Sequence, residues 1–229
     1  MVNDMKIVIS DFDLCFYDDN FLDNIKLINK LVDDGNIFVI ATGRSLLQLR
    51  SVIDDYEIKA SYYICNDGGV IYDHNYQEIY RKDIDSATCK EIFDYLVSTK
   101  FFDKVLIDTT KTYTEISTAC CNCLIGIIKD HNNAFKVLNH IISNYPDVNG
   151  YITKNLYITE KTVNKATAIE FLAVKNNWPK QNIYTVGDDI NDLEMIQEYN
   201  GFVIGNKLKK IDSNLKIVSS FKETIKTIK

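Results

Sequence analysis

The sequence predicts an α/β protein, a Rossmann-like parallel sheet core with a small α+β unit inserted into it. Three observations carry that expectation. Short apolar runs alternate with helix-like stretches toward both ends of the 229-residue chain, the pattern of a parallel sheet with crossover helices. The runs at 6–10, 37–41 and 183–187 each lead straight into polar residues, and open α/β sheets place their sites beyond the carboxyl ends of strands. Between 84 and 156 the alternation gives way to two helical and about four extended segments, which suit a compact α+β layer able to cover a site.

Taken in order, the first run is Lys6-Ile-Val-Ile-Ser10, and it ends in Asp11-Phe12-Asp13. Residues 23–34 carry Ile25, Leu27, Ile28, Leu31 and Val32 at near-helical spacing, with Gly35 as a stop. This is a crossover helix into the strand at 37–41, which ends in Thr42-Gly43-Arg44. A helix at 45–55 and a strand at 62–65 follow, then the turn Asn66-Asp67-Gly68-Gly69 and a hairpin at 70–72 and 78–80. The inserted unit reads as a helix at 85–99, strands at 105–109, 113–117 and 121–128, a helix at 133–144 and one strand at 151–158. The core then resumes with a helix at 164–175, a strand at 183–186 running into Gly187-Asp188-Asp189-Ile190-Asn191-Asp192, a helix at 189–199, strands at 201–204 and 215–218, and a lysine-rich terminal helix. The expected division is a core of 1–83 and 157–229 around an inserted unit of 84–156.

Composition excludes several classes. Hydrophobic residues at 46% and charged ones at 25% are ordinary for a globular protein, and a chain of this size hides roughly 70% of its unfolded surface. A net charge of -6 argues against a general nucleic-acid binder, which would present a basic face. No apolar run approaches the ~18 residues that suggest a membrane span, and residues 1–10 lack the apolar stretch of a secretion signal. The expectation is therefore a cytoplasmic protein without membrane contact, a monomer or weak dimer. Six cysteines in such a chain read as reduced thiols. Cys120-Cys121-Asn122-Cys123 lacks the second spaced pair of a structural zinc site, and in a strand Cys121, Cys123, Ile125 and Ile127 share one face, so the thiols read as small hydrophobes.

The chemistry-bearing stretches gain meaning together. In an extended chain the i and i+2 side chains of Asp11 and Asp13 point to one side, about 6.5 to 7 Å apart, and can flank one reacting group. Each polar residue alone has a plainer reading: Lys165 as a solvated helix lysine, Thr42 as a cap, Asp188 as an N-cap, Asp192 as a surface charge. However, D-F-D, A-T-G-R, a lysine at the head of a helix and G-D-D-I-N-D, in that order, resemble the four motifs of the haloacid dehalogenase (HAD) superfamily of phosphatases, and most nearly its Cof-type branch with an inserted α/β cap. One departure is that Leu14-Cys15 follow Asp13 where the family usually has Gly-Thr. The expected consequence is a changed loop shape with activity kept, because both aspartates remain.

The resemblance implies a Mg²⁺-dependent phosphatase acting on small phosphomonoesters, sugar phosphates or similar metabolites, through an aspartyl-phosphate. It implies Asp11 as nucleophile, Asp13 as acid and base, and Lys165 as fixed positive charge. Asp11, Asp13 and Asp188 would hold the metal with support from Asp192, while Thr42, Gly43, Asn66 and Asn191 would contact substrate or phosphate. A two-component receiver domain also clusters aspartates, threonine and lysine, but at about half this length and with its lysine after a late strand. A phosphomutase of the same superfamily would favour arginine forks for a second phosphate, and 84–156 contains none. A non-catalytic phospho-signalling protein on the same fold is the remaining alternative, suggested only by Leu14-Cys15.

Overall fold

The computed structural model describes residues 5–115 and 120–228. In chain order the elements are β1 (Ile7–Asp11), α1 (Phe21–Asp33), β2 (Ile37–Ala41), α2 (Leu46–Ile53), β3 (Tyr62–Cys65), β4 (Val70–Asp73), β5 (Glu78–Arg81) and α3 (Ser86–Thr99). Then come β6 (Phe102–Asp108), β7 (Tyr113–Thr114), β8 (Cys123–Ile128), α4 (His131–Asn144), β9 (Val148–Ile152) and β10 (Leu156–Glu160). The chain closes with α5 (Lys165–Asn176), β11 (Ile183–Gly187), α6 (Leu193–Glu198), β12 (Asn200–Ile204), β13 (Lys216–Val218) and α7 (Phe221–Ile228).

Two sheets result. The larger runs β13-β12-β11-β1-β2-β3-β4-β5, and the smaller runs β7-β6-β8-β10-β9. From β13 to β3 the neighbours of the large sheet are parallel, while β3, β4 and β5 pair antiparallel. Every residue of β1 is buried, because helices cover both faces, so the strand is a continuous apolar run with no alternation. Val8 belongs to a core with Phe16, Phe38 and Phe221 on one face. Ile7 and Ile9 pack with Ile169, Leu172 and Met195 on the other. Each fully buried isoleucine contributes about 1.5–3 kcal/mol relative to exposure, which fixes β1 as the central strand. On α1 the buried positions Phe21, Asn24, Ile25, Ile28 and Leu31 recur at helical spacing.

The small sheet is covered on one face only. Val105, Ile107, Leu124, Leu156 and Ile158 share a core with Ile92 and Leu96 of α3 and Val137 and Ile141 of α4.

Several boundaries differ from the sequence expectation for local reasons. The single strand expected at 151–158 is a hairpin of β9 and β10, closed by the Thr153 amide donating to the Asn155 carbonyl at 3.0 Å. Apolar residues on both sides of Thr153-Lys154-Asn155 hide that turn. The helix expected at 189–199 starts as a 3₁₀ turn, Ile190–Asp192, and is α-helical only from Leu193. Helix α4 starts two residues early because the Asp130 side chain accepts the Asn133 amide. Asn66–Gly68 is a 3₁₀ turn. Of the strand expected at 113–117, Tyr113–Thr114 is present, and 116–117 lie outside the described residues.

Candidate active site

Strand pairing assembles the site. Parallel registry sets Ser10 beside Val186 and Asp11 beside Ala41, so the chain leaving β1, β11 and β2 delivers Asp11, Asp188 and Thr42 to one edge. Lys165 opens α5, whose N-cap Asn164 accepts the Thr167 amide. The lysine is fully buried, and its Nζ donates to Asp11 Oδ1 and to Asp192 Oδ1, each at 2.6 Å. The other Asp192 oxygen accepts the backbone amides of Asp188 at 2.9 Å and Asp189 at 3.2 Å. Gly187 makes that approach possible, since a Cβ there would lie 2.4 Å from the Asp192 Cβ. Asp188 in turn accepts from Lys207 Nζ at 2.8 Å, and Asp189 from the same ammonium at 2.9 Å.

Asp13 sits at the rim, half-exposed, and accepts a fork from Arg44: Nε at 2.8 Å and Nη2 at 2.6 Å. Leu14 takes φ 61°, the left-handed backbone that glycine adopts freely and other residues at a cost of roughly 1–2 kcal/mol. The loop expected to change shape for want of glycine thus holds a glycine-like conformation at Leu14. It is tied by amides of Phe16 and Tyr17 donating to the Asp11 and Phe12 carbonyls, and Asn24 holds the Phe16 carbonyl from α1 at 3.0 Å.

Asp67 is a second hub. Its carboxylate accepts from Asn191 Nδ2 at 2.8 Å and from the Tyr151 hydroxyl of the small sheet, while its amide donates to the Thr42 carbonyl at 3.0 Å. Asn66 and Asp67 both have left-handed backbones, and Gly68, at φ 105°, passes so close to α5 that a Cβ would lie 2.2 Å from the Asn164 carbonyl oxygen.

Burial is the dominant influence on the ionisable groups here. It pushes the Asp11 carboxyl well above the ordinary range, with Lys165 pulling down and Asp192 and Asp188 pushing up. Burial works to lower the Lys165 pKa, but Asp11, Asp192 and Asp67 outweigh it and hold the ammonium charged. The Asp188 carboxyl is raised by burial, against the opposing pull of Lys207. Burial, reinforced by Asp11, keeps the Cys15 thiol protonated, and its Sγ lies 3.8 Å from Asp188 Oδ1.

Of the residues expected at the site, Asp11, Asp13, Gly43, Asp188, Asn191 and Asp192 line one cavity of about 650 Å³. Lys165 is beneath it, reached through Asp11. Thr42 is buried and its hydroxyl accepts the Arg44 amide at 3.1 Å. Asn66 is buried and donates to Asn122 at 2.8 Å, away from that cavity. Asp192 is engaged with Lys165 and the two amides, and among the described residues the three metal-capable side chains whose ligand atoms all lie within 4.8 Å of one another are Asp11, Asp188 and Cys15. Two buried carboxylates at one point fit a hard divalent cation such as Mg²⁺. The protonated thiol adds nothing to such a set. The sequence assigns no role to Arg44 or Asp67, which stand inside the motif and turn quoted above, and does not point to Tyr151 or Lys207. Arg44 and Lys207 could have been found, since both follow a glycine-bearing loop at the end of a parallel strand.

The chain has counterparts among known proteins. The family model of haloacid dehalogenase-like hydrolases matches residues 14–119 and 99–226. The chain belongs to this family. Among HAD-family relatives, the 5-amino-6-(5-phospho-D-ribitylamino)uracil phosphatase YcsE of Bacillus subtilis is 26% identical over 212 residues, covering 89% of this chain and 85% of that protein. A HAD-like hydrolase structure from B. subtilis superposes with a TM-score of 0.82 at 17% identity, over 98% of this chain and 99% of that one. Another from Bacteroides thetaiotaomicron gives 0.79 at 15% identity, over 98% of each. These structures share the fold, and the family together with its phosphatase relatives marks this HAD-family chain as an enzyme of the phosphatase kind.

Proposed function

We propose that the protein hydrolyses small phosphorylated metabolites, phosphomonoesters of sugar-phosphate size, through a phosphorylated Asp11. The observation that carries this reading is the placement of Asp11: buried, fixed by Lys165, beside Asp188 and 192, and opening into a cavity whose rim holds Asp13. The similarity to YcsE, named for a phosphorylated metabolite, supports a small-molecule substrate.

Charge sets the first requirement. Among the described residues around the cavity floor, six carboxylates (Asp11, Asp13, Asp67, Asp188, Asp189 and Asp192) face three cations (Lys165, Arg44 and Lys207). A dianionic phosphate entering such a site is repelled. Mg²⁺ held by Asp11 and Asp188, with Asp13 contributing a backbone carbonyl, would supply the missing positive charge.

The chain's own groups do the rest. Asp11 Oδ2, the oxygen not bonded to Lys165, attacks phosphorus and the ester oxygen leaves, taking a proton from Asp13, which has first picked one up from solvent on parting from Arg44. Asp13 must leave Arg44 to do so, and the arriving phosphoryl oxygens offer Arg44 another anionic partner. Water then attacks the phosphoryl-aspartate while Asp13 takes its proton, which restores both residues. Lys165 keeps Asp11 in place and, with Thr42, Gly43 and Asn191, favours the oxygens that gain charge. Asp192 positions Lys165, and Asn66 holds the turn that presents Asp67. The small sheet and its helices act as a cap that selects the leaving group.

The test is phosphate release from a panel of phosphorylated metabolites and p-nitrophenyl phosphate, with Mg²⁺ and after chelation. Turnover that chelation abolishes and Mg²⁺ restores is expected. No release above the metal-free blank on any ester contradicts the reading.

A further inference from the structure

Carboxylates crowd the cavity floor, and the oxygens they leave open decide what a cation meets. Asp13 has both oxygens in the Arg44 fork. Asp192 gives one to Lys165 and the other to the Asp188 and Asp189 amides. At the two buried aspartates that fit a divalent cation, the sharing is by halves. Lys165 takes Asp11 Oδ1 at 2.6 Å and leaves Oδ2. Lys207 takes Asp188 Oδ2 at 2.8 Å and leaves Oδ1, which meets the weak thiol donor of Cys15 at 3.8 Å. Lys207 is itself held in place. Its ammonium also donates to Asp189 Oδ2 at 2.9 Å, and Asp189 is fixed by accepting the Ile190 amide on its other oxygen. Just before the lysine, Gly205 turns the chain at φ 81°, a left-handed backbone that glycine adopts freely. Just after it, Leu208 is buried in one core with Met195 and Val203.

Resting on the metal assignment proposed above, we infer that Lys207 sets the choice of cation: by holding Asp188 Oδ2 it makes Asp188 a one-oxygen ligand, which suits Mg²⁺ and handicaps Ca²⁺. Mg²⁺ demands a small octahedral shell, keeps several waters and needs no second oxygen from a carboxylate. Ca²⁺ gathers about six to eight oxygens and readily takes both from one carboxylate. To close both Asp188 oxygens on one ion, the protein must break the Lys207 bond. Lys207 touches no reacting atom in the mechanism above, so it is a positioning residue that acts through Asp188. Its side chain is half-exposed, so replacing it leaves the core packing in place.

The experiment measures the Kd of the chelator-stripped protein for Mg²⁺ alone and Ca²⁺ alone by isothermal titration calorimetry at fixed ionic strength, with no substrate present. The wild type should bind Mg²⁺ at least as tightly as Ca²⁺. In Lys207→Met the Kd ratio should move about tenfold toward Ca²⁺, the lower end of what loss of a partner to a metal ligand costs. Loss of a positive charge by itself would tighten both divalent ions alike, so the ratio, not either Kd, carries the test. Asp188→Asn should weaken both ions, which places them at this site. The wild-type ranking needs no variant, so the inference stands or falls even if Lys207→Met does not fold. A wild type that prefers Ca²⁺, or a Lys207→Met ratio within about twofold of the wild type, well short of that tenfold shift, overturns this inference. The phosphatase reading then stands as long as Mg²⁺ restores turnover of p-nitrophenyl phosphate after chelation. A wild type that binds neither ion, or an Asp188→Asn protein that binds both unchanged, overturns this inference and the metal assignment together.

Discussion

The floor and the roof of the cavity are built on opposite principles. On the floor, carboxylates and cations are interlocked: Lys165 spans Asp11 and Asp192, Lys207 spans Asp188 and Asp189, and Arg44 forks onto Asp13. On the roof, Leu106, Ile125, Tyr157 and Tyr151, in register on β6, β8, β10 and β9, form a row with no charge at all. Phosphoryl transfer explains the first, because groups aimed at developing charge act best when already fixed and dry. A phosphate is the same in every ester, however, so discrimination has to come from the part that differs. On the proposed reading, chemistry and choice of substrate fall to separate sheets, which Tyr151 and Asp67 join at this cavity.

Removing the cation from the floor should have the largest effect. Lys165→Met leaves Asp11 and Asp192 buried without their partner, and loss of one member of a buried ion pair costs about 3–5 kcal/mol. Urea unfolding should show a loss on that scale, together with loss of turnover. A variant as stable as the wild type would mean that the floor is not held by this lysine.

The next effect separates steps within the floor. Asp13→Asn should slow turnover of unactivated esters by about 10²–10⁴, the usual range for a lost general acid and base. p-Nitrophenyl phosphate, whose leaving group needs no proton, should suffer less. Equal losses on both kinds of ester would remove Asp13 from leaving-group protonation.

The smallest effect probes the joint. Tyr151→Phe keeps the ring stacked on Tyr157 but deletes the bond to Asp67, and a hydrogen bond to a charged group contributes about 1.5–3 kcal/mol. Burial and Asp67 both keep that hydroxyl protonated and able to donate. A stability loss within this range, measured by urea unfolding, would sharpen the comparison. No loss would mean that the roof is seated by other contacts, such as Tyr113 on Ser45 at 3.1 Å or Asn122 on the Gly69 and Lys82 carbonyls.

Legibility in the sequence followed the same divide. The floor was readable because Asp11, Thr42, Lys165 and Asp188 follow or open regular elements, and strand ends in a parallel sheet converge. Even there, motif spacing does not report that Lys165 is buried between two carboxylates, or that Asp192 engages Lys165 and the Asp188 and Asp189 amides. Asp67 stood inside a quoted turn, but its partners Asn191 and Tyr151 are 124 and 84 residues away, a distance no local pattern reports. The roof was less readable. Its row exists only through the register of four antiparallel strands, and one of its turns, Thr153 to Asn155, lay inside what read as a single strand.

The most direct test of the division is to find where the phosphoryl group goes. Rapid mixing with substrate and Mg²⁺, acid quench and peptide mass spectrometry should place one phosphoryl group on Asp11, with the same site labelled whichever ester supplies it, and none in Asp11→Asn. Turnover without a label on Asp11, or a label on Asp13 or Asp188 in its place, would contradict the account.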